Sequence, residues 1–433
     1  MERTTVFQKP LATYPQSPTE IGSLTTEALS WSEQGEVRRV NLKDVVGVSV
    51  RCDRPKSSFP CLLVHAYPLV KTHKYRKQQR VLQEYCFTCS NESVRSQWQQ
   101  AIERALANKQ RQLQIIINPV SGKKQASKIW ERVRPLFDRS YLKYAVRETR
   151  STEDIQDFVR NLDLASVDGL VIVGGDGTLS NAIAGLMMRS DWETAIKLPL
   201  GIIPGGTGNG LSKSLLELVG ATYDPLNAAF AIAKGKVQGL DLAKIEQSDR
   251  QYYSCLSLAW GLISDADIES EKLKFLGSLR FDLYALWLIC WLRTYCGRFS
   301  FIPHPDCQIN NSQYKIKQQG EWQVIEDEFV FLWAMNTPWA AHDMNVTPHA
   351  RLDDGAIDVL IMRKGTSRLE ILQALLLCGK GEHLDLPHLE YYKVKSFRLE
   401  PLTPKGLLVV DGEPVNYSPL KVAVIPNLAC IHS

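Results

Sequence analysis

Three times between residues 114 and 215 an apolar run breaks into a turn of small residues and then into a helical pattern. The three stretches are QIIINPVSGKK from Gln114, GLVIVGGDGT from Gly169 and KLPLGIIPGGTGNGLSKSL from Lys197. A short apolar run bounded by Gly, Pro, Asn and Ser reads as a buried strand. LKYAVRET, from Leu142, reads as another strand. STEDIQDFVRNL, from Ser151, starts with capping residues and puts Ile155, Phe158, Val159 and Leu162 on one helical face. Strands alternating with helices predict an α/β nucleotide-binding domain with a largely parallel sheet, assigned to residues 111–238.

Ligands of open α/β sheets bind beyond the carboxyl ends of the strands. The three turns, Asn118–Lys123, Gly174–Thr178 and Pro204–Asn209, are built to let backbone N–H groups approach phosphate oxygens. One such loop says little, whereas three at consecutive strand-ends point to a nucleoside triphosphate. No GxxxxGK[ST] and no clean GxGxxG occurs, so neither a P-loop nor a dinucleotide fingerprint is present. Asp176 sits inside the second turn. Phosphoryl transfer is mostly positioning and charge neutralisation, plus one base that takes the acceptor's proton. A carboxylate held beside bound phosphates by glycines is placed for that task. The plainer reading is that Asp176 only caps the helix that follows.

From residue 239 the texture becomes β-rich, with LDLAKIEQ, YYSCLSLAWG, FVFLWAMN, AIDVLIMR, SFRLEP, GLLVVDGEP and LKVAVIP. Helical segments interrupt it at about 268–296 and 367–378. This predicts a mainly antiparallel β domain with helical insertions over 239–433. Its longest apolar run, LYALWLICWL from Leu283 to Leu292, is bracketed by Asp282 and Arg293. Ten residues are too few to span a bilayer, which needs about 20. The run reads as a core helix or as the wall of a lipid cleft. Just before it, DADIESE carries Asp265, Asp267, Glu269 and Glu271. Asp353-Asp354-Gly355 reads as a tight turn before a strand rather than as a metal ligand, and metal ligands remain unassigned.

Residues 1–20 are polar with three prolines and are expected to be disordered. Residues 21–110 hold short β-like runs, VRRVNL, VVGVSV, CLLVHAY and EYCFTC, followed by SNESVRSQWQQAIERAL, a helix with Val94, Trp98 and Ile102 on one face. Strands closed by one helix with a central Trp resemble a pleckstrin-homology module. The stretch KTHKYRKQQR, with Lys71, Lys74, Arg76, Lys77 and Arg80 and no acid, is either a solvated loop or a contact for anionic lipid. A formal charge of +4 gives no general attraction to nucleic acid. Ten scattered cysteines and an N-terminus without an apolar signal core lead to an expected cytoplasmic location.

GGDGTLSNAIAGL together with PGGTGN resembles the diacylglycerol-kinase catalytic superfamily; NAD kinases share only the GGDG turn. SCLSLAWGLISDADIESEKLKFLGSLRFDLYALWLICWLRTYCGRFSFIP, Ser254 to Pro303, is similar to sphingosine (long-chain base) kinases, and the likeness runs from about residue 113 to the end, including FRLEP and VVDGEPV. The resemblance implies an ATP-dependent kinase, with Mg²⁺, that phosphorylates the primary hydroxyl of a sphingoid base. It implies Asp176 as general base and Gly174, Gly175 and Gly177 beside the acceptor. Asp267 would face the acceptor's polar head. ATP contacts would come from Asn118, Pro119 and Val120, from Thr149, Arg150, Ser151, Thr152 and Glu153, from Gly206, Thr207 and Gly208, and from Lys274, Arg280, Asp411, Gly412 and Glu413. Three positions depart from the pattern: Gly174 stands where these kinases usually have Ser, Asn181 where the superfamily often has Glu, and Lys274 where Arg is usual. Such an enzyme meets its acceptor at a membrane surface, so peripheral membrane contact is implied. The alternatives are a diacylglycerol or ceramide kinase of the same superfamily, and an inactive lipid-binding or scaffold protein.

Overall fold

A computed structural model of the chain describes residues 5–50, 59–71, 78–106, 110–121, 124–270, 279–307 and 317–433. In chain order the N-terminal strands are β1 (Thr5–Pro10), β2 (Ala12–Thr13), β3 (Ile21–Thr25), β4 (Ala28–Glu33), β5 (Glu36–Asn41), β6 (Val45–Ser49), β7 (Cys61–Ala66), β8 (Leu69–Lys71), β9 (Gln78–Arg80) and β10 (Gln83–Thr88), followed by helix α1 (Glu92–Ala105). Next come β11 (Arg111–Ile117), α2 (Ala126–Asp138), β12 (Leu142–Glu148), α3 (Thr152–Arg160), β13 (Gly169–Gly174), α4 (Asp176–Met187), α5 (Trp192–Ala195), β14 (Leu200–Pro204), α6 (Gly210–Leu218) and α7 (Pro225–Lys234). The remainder holds β15 (Val237–Glu246), β16 (Gln251–Ser254), β17 (Ser257–Gly261), α8 (Leu262–Glu269), α9 (Leu279–Cys290), β18 (Tyr295–Pro303), β19 (Lys317–Gln319), β20 (Trp322–Met335), β21 (Trp339–Ala341), β22 (Met344–Asn345), β23 (Ile357–Arg363), α10 (Arg368–Cys378), β24 (Leu389–Pro401), β25 (Leu408–Val410), β26 (Glu413–Val415) and β27 (Leu420–His432).

Two compact units emerge. The first joins residues 1–113 to 130–145 and 224–236, and the second holds 114–129, 146–223 and 237–433. In the first, sheets ordered β1-β3-β4-β5 and β2-β10-β7-β6 enclose a core of Leu24, Trp31, Leu62, Phe87 and Trp98. Helix α1 closes it as its sequence predicts. Asn91 caps it by accepting the Val94 N–H, and Trp98 and Ile102 are fully buried. Residues 5–10 are not disordered, contrary to the compositional expectation. They form β1, which pairs with β3 and packs Phe7 edge-on against Trp98 at 4.7 Å. Most of β1 faces solvent, so its polar composition is that of an edge strand.

The rest of this unit comes from later in the chain. A methyl group on Gly47 would stand 2.1 Å from the Arg139 carbonyl oxygen, so only glycine admits this approach. Arg139 donates to Glu84 at 2.9 Å, and Glu84 also meets the buried His65 at 3.1 Å. Arg80 donates to Asp44 at 3.2 Å and to the Tyr67 carbonyl at 2.6 Å, and its guanidinium lies 3.5 Å from the centre of the Phe230 ring. Lys234 donates to the carbonyls of Leu42 and Val45, and burial pushes its pKa down. Arg80 is thus engaged within the protein. Lys74, Arg76 and Lys77 of the basic stretch lie outside the described residues.

The second unit is built on one mixed sheet, to which it contributes β11 from residue 114 and β12 from residue 146. Its main path runs β12-β11-β13-β14-β27-β24-β18-β20-β17-β25-β26, with β15, β16, β19 and β23 off this path. β13 and β14 are parallel, as the alternation of strands and helices predicts, and β27 joins β14 in parallel. The same β27 pairs antiparallel with β15 and β24, so the α/β part and the β-rich part share a continuous sheet rather than holding separate ones. Ile172, Leu179, Ile183, Leu186 and Ile202 centre the first core of this unit; Trp260, Phe299, Phe301, Phe329 and Phe397 centre the second. The helical insertions fall at α8, α9 and α10, close to the segments expected from sequence.

Candidate active site

The four neighbouring strands β12, β11, β13 and β14 end in the loops that the sequence singles out. The loops after β13 and β14 touch backbone to backbone. A methyl on Gly206 would lie 2.4 Å from the Cα of Gly175, so glycine is required at this crossing. Gly205 N–H donates to the Gly174 carbonyl at 2.8 Å. Asn209 locks the second turn, accepting from Gly206 N–H at 3.1 Å and donating to the Gly206 carbonyl at 2.9 Å. After β11, Asn118 donates to the Thr178 hydroxyl at 3.1 Å and accepts from Val120 N–H. After β12, Thr149 is buried with its hydroxyl on the Ile117 carbonyl, Ser151 caps α3, and Arg150, Thr152 and Glu153 are exposed. Helices α3, α4 and α6 follow these loops, and their N-termini favour anions. Asn118–Val120, Thr149–Glu153, Gly174–Gly177 and Gly206–Gly208 therefore lie along one edge of the sheet.

Asp176 is the first residue of α4 and is buried. Its Oδ2 accepts from Gly210 N–H at 2.7 Å and its Oδ1 from Leu211 N–H at 3.3 Å, so it occupies the N-terminus of α6. Burial pushes its pKa up to about 7, against the two N–H donors, and the charge of Asp411 adds to the rise. A carboxylate that titrates near neutrality can take a proton and release it. Asp176 therefore does not cap its own helix, which has no side-chain cap; its carboxylate receives the first N–H groups of α6 instead, and it keeps a base-like proton affinity. Tyr223, which sequence reasoning did not single out, stacks on His342 at 5.5 Å, and burial raises its phenol pKa, with a contribution from Asp176.

The acidic run splits by helical geometry. Residues four apart share a face, and residues two apart lie on opposite faces. Asp265 turns inward to the Tyr295 hydroxyl, and burial raises its pKa. Glu269 accepts from the Tyr284 hydroxyl at 2.6 Å, and Arg293 approaches both acids. Asp267 faces the other way. A methyl on Gly412 would lie 4.0 Å from its Oδ2. The turn Asp411–Glu413 also borders α4, since a methyl on Gly177 would stand 3.7 Å from the Asp411 carbonyl and 4.0 Å from Glu413 Oε1. The Asp411–Glu413 turn therefore lies between the start of α4, which carries Asp176, and Asp267. The Asp411 carboxylate points away from this space, toward residues 254–257.

Lys274 lies outside the described residues, and Arg280 is placed only as part of helix α9. On α9, Leu288 and Ile289 are buried with residues of α8, α10 and one sheet face, whereas Leu286, Trp287 and, just beyond the helix, Trp291 are exposed. The apolar run is thus core on one side and open on the other. Asn181 donates to the Gly177 carbonyl and accepts from Gln156, both at 2.8 Å. An amide makes both bonds, which accounts for Asn here. The Asp353-Asp354-Gly355 segment is a turn. Gly355 has φ 74° and donates to Asp241, and Asp354 pairs with Lys393 at 2.6 Å. No helix among the described residues is long and apolar enough to cross a membrane.

Residues 112–245 match the diacylglycerol kinase catalytic domain family, and residues 308–432 match the YegS C-terminal NAD kinase beta sandwich-like domain. Sphingosine kinase 1 of Arabidopsis thaliana is 36% identical over 360 residues, covering 76% of this chain and 74% of the relative. Sphingosine kinase 1 of Homo sapiens is 32% identical, covering 72% and 88%. Sphingoid long chain base kinase 4 of Schizosaccharomyces pombe is 31% identical, covering 72% and 73%. A putative diacylglycerol kinase from Bacillus anthracis shares the fold at a TM-score of 0.54 and 23% identity, over 75% of this chain and 95% of the other.

Proposed function

Because the chain belongs to the sphingosine kinase family, within the diacylglycerol-kinase catalytic superfamily, we propose that it transfers the γ-phosphoryl group of ATP to the primary hydroxyl of a sphingoid base, giving the 1-phosphate. The observation that carries this reading is the pair of acids flanking the 411–413 turn: Asp176, with a pKa of about 7, and Asp267. Asp176 takes the hydroxyl proton as the acceptor oxygen attacks phosphorus. Asp267 meets the ammonium that distinguishes a sphingoid base from diacylglycerol and ceramide. ATP lies along the loops after β11 to β14, lined by Asn118–Val120, Thr149–Glu153 and Gly206–Gly208, with the N-termini of the following helices turned to its phosphates. Lys274 and Arg280 are proposed phosphate contacts, and Gly412 and Glu413 close the site.

The alkyl tail is proposed to enter the apolar cluster that α8, α9 and α10 form over one sheet face, including Leu262, Leu288, Phe331 and Ile371. Exposed Trp287 and Trp291, with Leu369 and Leu376 on α10, give that region an apolar outer side suited to a membrane surface. Among the described residues no three His, Cys, Asp or Glu side chains form a cage for a metal. Mg²⁺, which binds largely through substrate phosphates, is proposed to enter with ATP and to neutralise phosphate charge. The N-terminal module, a β-sandwich closed by α1, is proposed to be pleckstrin-homology-like.

The test is transfer of labelled phosphate from ATP to sphingosine, dihydrosphingosine, diacylglycerol and ceramide, side by side. Transfer confined to the first two supports the head-group assignment. Preference for a neutral lipid would overturn it while leaving Asp176 in place.

A further inference from the structure

The Asp411-Gly412-Glu413 turn is anchored by one of its own side chains. Asp411 and Gly412 both have left-handed backbones, with φ of 48° and 84°. A residue with a Cβ rarely adopts this conformation, but an Asp-Gly pair does so readily at the tip of a two-residue hairpin, and here Val410 pairs with Glu413 across the tip of the β25–β26 hairpin. Asp411 in addition anchors that tip to residues 254–257. Its Oδ1 accepts from the Ser254 hydroxyl at 2.6 Å, from Leu256 N–H at 3.1 Å and from Ser257 N–H at 2.9 Å. Its Oδ2 accepts from Cys255 N–H at 3.1 Å, and its own N–H donates to the Ser257 carbonyl at 2.9 Å. The side chain is buried. Its acceptor capacity is taken up inside the protein, so the carboxylate has no face left for a nucleotide or an acceptor.

We propose that Asp411 is a positioning residue for the transfer. Its carboxylate clamps the 411–413 turn onto residues 254–257 and thereby fixes the spacing between Asp176 and Asp267, without touching either substrate. This rests on the reading of Asp176 as the general base. The turn backbone is the element that borders both Gly177 and Asp267, so a displaced turn moves the acceptor head relative to the base. The titratable groups facing Asp176 agree with an electrostatic share in this role. Asp411 adds to its proton affinity, while Tyr223 and the buried Cys255 thiol are both pushed up and stay neutral.

The test compares Asp411→Asn and Ser254→Ala with the full-length wild type. The readouts are kcat, its pH profile, and equilibrium binding of ATP. Asp411→Asn keeps the shape, removes the charge and sets an NH₂ group against backbone donors. It is expected to lower kcat about 10- to 100-fold, the scale of a small misplacement. ATP affinity should stay within about twofold, and the acid limb of the kcat profile should move to lower pH because a like charge has gone. Ser254→Ala removes one donor and leaves the charge. It should lower kcat a few-fold without moving the limb, and it keeps the idea testable if Asp411→Asn does not fold. An ATP affinity weakened tenfold or more would make Asp411 a direct nucleotide ligand and overturn the proposal, as would wild-type kcat in Ser254→Ala. Full activity in Asp176→Asn would sink the base assignment. An unmoved acid limb in Asp411→Asn, with Asp176→Asn inactive, would sink this proposal alone.

Discussion

Asp176→Asn should abolish turnover and should keep the stability that wild type loses as the pH rises through about 7. The folded state holds this carboxyl at a pKa of about 7, against an ordinary value of 3.8. A folded-state pKa above the unfolded one gives stability that is complete below the unfolded value and is lost as pH rises through the folded value. At pH 5 folded Asp176 keeps its proton and the unfolded chain has released it. At pH 8 both have released it. One pKa unit corresponds to about 1.4 kcal/mol, so wild type should lose about 2–3 kcal/mol between pH 5 and 8 that the asparagine variant keeps. Above pH 8 the difference should be flat. Urea unfolding of both proteins at pH 5, 6, 7, 8 and 9 reads this directly, because every other titrating group is common to the two. The wild-type kcat profile should show an acid limb near pH 7 with a slope of one proton. A stability difference that stays constant from pH 5 to 8 would refute the reasoning, since the carboxylate would then ionise as it does in the unfolded chain.

Other substitutions probe other parts of the molecule. Asp267→Ala should raise KM for a sphingoid base by about 10- to 100-fold, the cost of losing a charge-assisted contact, with KM for ATP nearly unchanged; equal rises for both would count against head-group recognition. Arg80→Ala leaves Asp44 buried without its partner and should destabilise the first unit by about 3–5 kcal/mol in calorimetry, whereas a loss below about 1 kcal/mol would show that neither the pairing with Asp44 nor the contact with Phe230 holds this unit together. Trp287→Ala combined with Trp291→Ala should reduce sedimentation with lipid vesicles while sparing transfer to a detergent-presented acceptor; unchanged sedimentation would remove α9 from the membrane-facing side.

The strand, glycine turn and helix sequence was legible because each turn's chemistry is local. Gly175 and Gly206 need no distant partner to announce a tight connection, although their mutual contact appears only in space. The split of DADIESE was also within reach, since 100° per residue sets Asp265 and Glu269 opposite Asp267. The inward turn of Asp411 was not. Its four donors lie about 155 residues earlier in the chain, and no local pattern marks them. β27 escaped for the same reason: an alternating strand does not say that it will pair with both a parallel and an antiparallel neighbour. β1 was read as disorder because an edge strand and a solvated tail have the same polar composition. Asn209 stands where a helix cap is expected, yet its side chain makes no bond to α6 and turns back to Gly206, so the capping signal alone does not give its role.

The first unit also sets an order of events during synthesis. The β-sandwich of residues 5–106 leaves the ribosome well before Phe230 and Lys234, which finish its outer side. At about 5–20 residues per second the wait is roughly six to twenty-six seconds. During that time Arg80 and Asp44 already hold each other, but the face that Phe230 covers and the Leu42 and Val45 carbonyls that Lys234 reaches must be met by water or by a chaperone. The nascent sandwich is therefore a half-finished surface, and a slow codon run or a temperature shift in this window would act on the yield of folded enzyme without touching a single catalytic residue.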